Sequence, residues 1–212
     1  MDYAINVLTC LAMGIGDPPF PISTTTTVSP DPLNIVSRRD WLAQPAEGAL
    51  EKLEQPIPWV IITHTTTESC HTRSECVLRV RLIQSFHIES RGWVDIGYNF
   101  LIGGDGSVYI GRGWDYHGAH TPGYSKKSIG IAFIGTYRKD SPTREQVEAC
   151  KKLIKQGVDQ LKLSKDYKLV GQRQLMATMS PGDKLFDIIK EWPHFASNFT
   201  IFSNNIMSRK RN

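Results

Sequence analysis

Between Gly92 and His120 the chain reads GWVDIGYNFLIGGDGSVYIGRGWDYHGAH, and this stretch holds the groups best suited to chemistry. Arg91, Trp93, Tyr98, Arg112, Trp114, Tyr116 and His120 crowd its ends, a density of donors and ring faces that a polar, aromatic-walled cleft requires. His117 and His120 have a spacing that two metal ligands could use. A catalytic zinc needs three protein ligands and an open position for water, and neither a cysteine nor a third histidine stands close by in sequence. The pair therefore reads as polar lining. No Gly-x-Ser-x-Gly nucleophile motif and no phosphate loop occurs. Asp95 and Asp105 read as structural carboxylates rather than an acid–base pair.

These groups must be carried by ordinary elements. Tyr98–Ile102 and Ser107–Arg112 are rich in aromatic and β-branched residues and are joined by Gly-Gly-Asp-Gly. That pattern predicts a hairpin with positive φ at Asp105-Gly106. Pro58 precedes Trp59–Thr65, whose successive apolar residues predict a buried, central strand delivering Thr63, His64 and Thr65 at its end. Thr72 and Glu75 have capping-box spacing, and Cys76, Val80, Ile83 and His87 recur at helical intervals. A helix to about Ser90 would then aim His87 and Arg91 at the hairpin. Ser128–Thr136 predicts a second apolar strand, and Pro142-Thr143 starts a helix with one apolar stripe through Val147, Cys150, Leu153, Val158 and Leu161. A short strand around Lys168–Gln172, an irregular stretch to Ser180-Pro181-Gly182 and a helix over Lys184–Glu191 complete the chain. Interleaved strands and helices favour an α/β class: a central mixed sheet flanked by helices.

With 212 residues, 40% hydrophobic and 22% charged, the chain has room for one domain of roughly 160–180 residues plus flanks. A formal charge of +4 without a clustered Lys/Arg stripe argues against nucleic acid as a partner. Residues 1–16 are apolar but too short to span a bilayer, and read as a signal peptide or another kind of leader, the acidic Asp2 standing where a basic flank is usual. Residues 17–33 are Pro/Thr-rich and read as a linker. The folded domain is expected over 34–196, followed by a tail, 197–212, with a basic run at Ser208–Arg211. Cys70 and Cys76 have a spacing that suits a local disulfide, which implies an oxidising, extracellular or cell-surface setting. The sequon Asn198-Phe199-Thr200 points the same way. Cys150 reads as a small buried hydrophobe, and Cys10 falls in the leader.

Val60-Ile-Ile-Thr-His-Thr65, Cys70/Cys76, Phe86-His87, the run Asp95–Gly106, Gly111-Arg-Gly-Trp114, Gly118-Ala-His120, Ser128-Ile-Gly-Ile131 and Ser180-Pro-Gly182 resemble, in order and over residues 34–196, the peptidoglycan recognition protein family. The resemblance implies an amidase-like fold related to zinc-dependent N-acetylmuramoyl-L-alanine amidases, with a groove for bacterial muropeptides. The family's amidases hold zinc at positions occupied in this chain by Thr63, Gln172 and Ser180. Hydroxyls and an amide do not replace imidazole and thiolate as zinc ligands, so the expectation is no metal, no cofactor and binding without hydrolysis, although Tyr98 matches the family's catalytic tyrosine. An amidase is the disfavoured alternative.

By the same resemblance, His64, Thr65, His87, Arg91, Gly92, Trp93, Tyr98, Arg112 and His120 are the expected peptidoglycan-binding residues. Gly92-Trp93 and Arg112 match positions that the family associates with meso-diaminopimelic acid at the third stem position. The implied function is an innate immune receptor for such muropeptides, with partnership in a homodimer or in a heterodimer with another receptor of the family.

Overall fold

A computed structural model describes residues 32–198. The leader with Cys10, the Pro/Thr-rich segment up to residue 31, the sequon's Phe199 and Thr200, and the tail with its basic run lie outside the described residues. Six strands form one sheet: β1 (Ile35–Val36), β2 (Ile57–His64), β3 (Phe100–Ile102), β4 (Val108–Ile110), β5 (Ser128–Phe133) and β6 (Leu163–Gly171), ordered β1-β4-β3-β5-β2-β6. All neighbours run parallel except β3 and β4, the expected hairpin. The sheet is therefore mixed, as the interleaving of elements implied.

β2 shows why the core sits where it does. Val60 and Ile62 face one side, together with Ile129, Ile131 and Phe133 of β5, and pack against Ala149, Cys150, Leu153 and Ile154 of α2 (Arg144–Asp159) and Leu185 and Ile189 of α3 (Asp183–Ile189). The opposite face carries Ala132 of β5 and Leu101 of β3, and packs against Cys76, Val80 and Ile83 of α1 (Arg73–Ser85). A strand buried on both faces has no polar side to alternate, hence its continuous apolar run. α1 begins at the predicted capping box, in which the Thr72 hydroxyl accepts from Glu75 N and the Glu75 carboxylate accepts from Thr72 N. α2 begins with the same device at Thr143 and Gln146.

Three local expectations are revised. In the hairpin loop Gly106 alone takes a positive φ (+74°); Asp105 instead accepts from Ser107 N and from the Tyr109 hydroxyl. α1 does not continue regularly to Ser90 but widens into a π-helical turn over Phe86–Ser90, where Arg91 N bonds Phe86 O five residues back. β6 is longer than expected because Leu163 also pairs with Ile57, ahead of a bulge after which Lys168–Gly171 pair with Trp59–Ile62.

Cys70 and Cys76 are joined as expected, and both are fully buried against α1's core face. Closing so short a loop limits the unfolded chain by about 2 kcal/mol. A Cys70→Ala/Cys76→Ala variant is expected to lose about that much stability, read as a lower urea midpoint.

Candidate functional site

The carboxyl ends of β2 and β6, the C-terminal half of α1 with its π-turn, and the segment Trp93–Tyr98 enclose an open groove of about 580 Å³. Each wall follows from a local cause. β2 pairs with β6 at Ile62 and Gly171, so Thr63–His64 and Gln172 emerge side by side. The wider π-turn carries His87 inward while Phe86 stays half exposed. Gly92 takes φ +63° between Arg91 and Trp93 and turns the chain back, letting the Trp93 ring lie over Gly97, where a Cβ would stand 2.5 Å from it.

Two imidazoles face this groove, and both are fixed from behind. His64 Nδ1 accepts from Tyr137 N at 3.2 Å, and His87 Nδ1 accepts from Gly97 N at 3.0 Å. His87 is layered between aromatic rings, Trp93 at 4.6 Å and Tyr98 edge-on at 5.4 Å between centroids. Burial, helped by the nearby Arg138 and Arg173, lowers the His64 pKa to about 4. Burial, helped by Arg112 and Arg91 and opposed by Asp95, does the same for His87, also to about 4. Desolvation pushes the Tyr98 hydroxyl up to about 12, so it remains a protonated phenol.

At the groove floor, Ser180 Oγ accepts from His64 N at 3.1 Å. Gln172 donates its amide to the His120 carbonyl at 2.7 Å, and the Thr63 hydroxyl points at the Ile131 carbonyl at 3.5 Å. These three side chains present hydroxyls and an amide, already turned to internal partners. They do not fit the needs of a zinc ion, which is held by imidazole, thiolate or carboxylate. Among the described residues no group of three or more His, Cys, Asp and Glu is placed to hold a metal.

Of the nine residues singled out in the sequence, His64, Thr65, His87, Arg91, Trp93 and Tyr98 line the groove. Gly92 contributes only its turn. Two expectations are corrected. His120 is not open lining: it is only 6% exposed, its ring packs against Gly130 of β5, where a Cβ would stand 2.3 Å away, and its Nδ1 is paired with the Thr121 hydroxyl. Arg112 does not line the groove either. Its guanidinium is buried, donating from Nε to Ile96 O at 2.7 Å, from Nη1 to His117 O at 3.0 Å and from Nη2 to Asp95 O at 3.2 Å. These bonds use three of its five N–H groups and leave one on each terminal nitrogen.

Trp114 and His117 also lie elsewhere. Trp114 packs on Phe100 and against Gly157 of α2, and His117 pairs with the exposed Glu51. Asp95 is structural as expected, accepting from Gln84 and Ile96 N and pairing with Arg38. Sequence reasoning passed over Arg79, Leu82, Phe86, Gln172, Thr178 and Ser180 as groove lining. For Leu82 and Phe86 a signal existed: Leu78, Leu82 and Phe86 recur at i, i+4 and i+8, offset from the core stripe, and each is about half exposed. Asn99 was passed over as well. Its side chain accepts from Gly130 N and donates to Gly113 O and Tyr116 O, tying the hairpin's end to β5.

A family model described as N-acetylmuramoyl-L-alanine amidase matches residues 53–183. Peptidoglycan-recognition protein LE of Drosophila melanogaster is 47% identical over 161 residues, covering 76% of this chain. The chain belongs to the peptidoglycan recognition protein family. It spans 47% of the length of that relative, about half. A solved ectodomain complex of peptidoglycan recognition proteins LCa and LCx with tracheal cytotoxin matches at 51% identity and a TM-score of 0.77, over 77% of this chain and 99% of the matched one. Peptidoglycan recognition protein LE in complex with tracheal cytotoxin, a monomeric diaminopimelic acid-type peptidoglycan, matches at 47% and 0.76, over 76% and 95%. The fold of this family member is thus the amidase-like one that its motifs implied.

The buried imidazoles make its stability depend on pH with a definite sign. Folded pKa values near 4 lie below the ordinary 6.5. The unfolded chain therefore takes up protons first as the pH falls, and stability is full above 6.5 and lost progressively from 6.5 to 4. His120, pushed by burial to about 3, extends the loss further. The urea midpoint is expected to be lower at pH 5 than at pH 7.5, with a smaller difference in a His87→Gln variant.

Proposed function

We propose that this protein is a receptor that binds muropeptides of the diaminopimelic acid type at the groove, does not cleave them, and acts outside the cell to trigger or modulate antibacterial signalling. The observation that carries the reading is a contrast within one groove. Gln172 and Ser180 on its floor and the fully buried Thr63 next to His64 stand where the family's amidases have zinc ligands, whereas the walls keep His64, His87, Trp93 and Tyr98 turned toward the opening. Without a metal-bound water, Tyr98 retains only a hydroxyl donor and a ring face. Neutral donors and rings suit a short peptide rich in amide carbonyls, and the two relatives solved with tracheal cytotoxin support that ligand class. The buried disulfide supports an oxidising compartment. The LCa–LCx pair supports a partnership with a second receptor chain.

Diaminopimelic acid differs from lysine by one carboxylate. The N–H groups left on Arg112's two terminal nitrogens could receive it as a forked pair, contributing about 1.5–3 kcal/mol in a desolvated setting. Because Arg112 is held by the Asp95 and Ile96 carbonyls rather than lining the groove, this contact needs the segment Trp93–Tyr98 to admit the carboxylate. Pull-down with diaminopimelic and lysine-type peptidoglycan in parallel is expected to favour the first, and Arg112→Ala to narrow the ratio by about tenfold or more. An unchanged ratio would remove Arg112 from specificity. Stoichiometric zinc together with stem-peptide release from muropeptides would overturn the non-catalytic reading.

A further inference from the structure

Both groove imidazoles meet a main-chain N–H on their inner nitrogen, and main-chain amides cannot reverse their role. A ring nitrogen that accepts such a bond carries no proton, so in the neutral ring the proton sits on the other nitrogen. For His87 the inner partner is Gly97 N, and for His64 it is Tyr137 N. In both residues Nε2 is then the N–H nitrogen, and neither Nε2 is among the buried atoms left without a partner. We propose that His64 and His87 are locked as neutral Nε2–H donors aimed into the groove from opposite walls, so that the groove selects a ligand offering two acceptor oxygens, the amide carbonyls of a peptide stem, and does so independently of pH between about 5 and 8. This deepens the receptor reading and rests on it for the ligand.

The lock is geometric before it is electrostatic. Charging either ring would place a second N–H against the main-chain N–H behind it, and rotating the ring by half a turn would leave that N–H facing carbon. The charged neighbours act in the same direction. Around His87 stand Arg91 and Arg112 against the single carboxylate of Asp95, with the neutral rings of Trp93 and Tyr98 on its faces. Around His64 stand Arg138 and Arg173, with Tyr137 6.4 Å away. Burial disfavours the imidazolium in both. Elsewhere on the groove wall the cation of Arg79 is paired with Glu68 and Arg91 lies over Phe86. A ligand ammonium therefore finds no acceptor at either imidazole, whereas a carbonyl finds a preset donor at each.

The test begins with the free protein. Nitrogen-15 NMR of the imidazoles is expected to show both His64 and His87 as Nε2–H tautomers throughout pH 5–8. Charging of either with a midpoint above 6, or the Nδ1–H form in either, would overturn the proposal. The second arm uses a diaminopimelic acid-type disaccharide tetrapeptide as probe. Glutamine places its amide nitrogen near the position of Nε2, whereas asparagine places its polar atoms near Nδ1. His87→Gln is expected to bind within about threefold of wild type and His87→Asn at least about tenfold more weakly, consistent with one hydrogen bond. The His64 pair is expected to follow suit, and the wild-type dissociation constant to change less than about threefold from pH 5.5 to 8. Equal losses in the Gln and Asn variants that still fold, judged by unchanged unfolding midpoints, would also overturn it. If wild type fails to bind the tetrapeptide at all, the receptor reading fails, and the NMR arm still decides whether the lock exists.

Discussion

β2 is hydrogen-bonded to β5 on one edge and to β6 on the other, and it is buried on both faces. Its carboxyl end is consequently the fixed point from which the groove is laid out. Parallel pairing makes the last residues of β2 and β6 emerge together, with Thr63 and His64 beside Gln172. Ser180 completes the floor by accepting the His64 main-chain N–H at 3.1 Å, a bond that fixes backbone rather than a ligand. Shifting this register by one residue would exchange the faces of β2 and bring Val60 and Ile62 to the groove side. The apolar packing against α2 and α3 that opposes the shift thus also positions the imidazole.

The opposite wall depends on polar groups instead. Trp93–Tyr98 contains no strand or helix, and its carbonyls and N–H groups are met by side chains from distant points in the sequence. Arg112 holds the Asp95 and Ile96 carbonyls, Asp95 takes Gln84 from α1 and Arg38 from the start of the domain, and Asn99 reaches Gly130 of β5. A buried carboxylate and two guanidiniums are costly to desolvate unless their bonds are satisfied. Here all three bonds of Arg112 go to main-chain carbonyls, and Asp95 is met by Arg38, Gln84 and Ile96 N, which converts an irregular loop into a fixed wall. The Gly97 N–H that binds His87 is part of the same frame.

What could be read in the sequence was local or periodic. The buried run of β2, the capping box at Thr72, the helix start at Thr143, the hairpin and the disulfide each depend on residues close together in the chain, and each stands where expected. The misjudged features depend on contacts between residues far apart. Arg112 looks like an exposed cation in sequence, and only the fold shows the three carbonyls that surround it. His120 looks like loop lining until β5 supplies Gly130 as the flat surface beneath its ring. The π-turn has no signature in residue type at all: Phe86–Ser90 continues a helical pattern, and its widening shows only in the Arg91 N bond to Phe86 O five residues back. The family's motifs could name groove positions, but they could not tell which side chains face the opening and which support it from behind.

The two walls and the floor of the groove are each closed by bonds within the chain. In a metal site the ligands are held by the ion as much as by the fold, and removing them usually leaves polar groups without partners. In this chain the polar groups on the floor are neutral and have internal partners: Ser180 takes a main-chain N–H, and Gln172 caps the His120 carbonyl at 2.7 Å. The floor is therefore closed by hydrogen bonds that need no ion. Meanwhile His64 and His87 depend on Tyr137 N and Gly97 N, neither of which involves the floor positions. Imidazoles anchored to main chain do not rely on a metal for their orientation, so both rings are held by the fold itself.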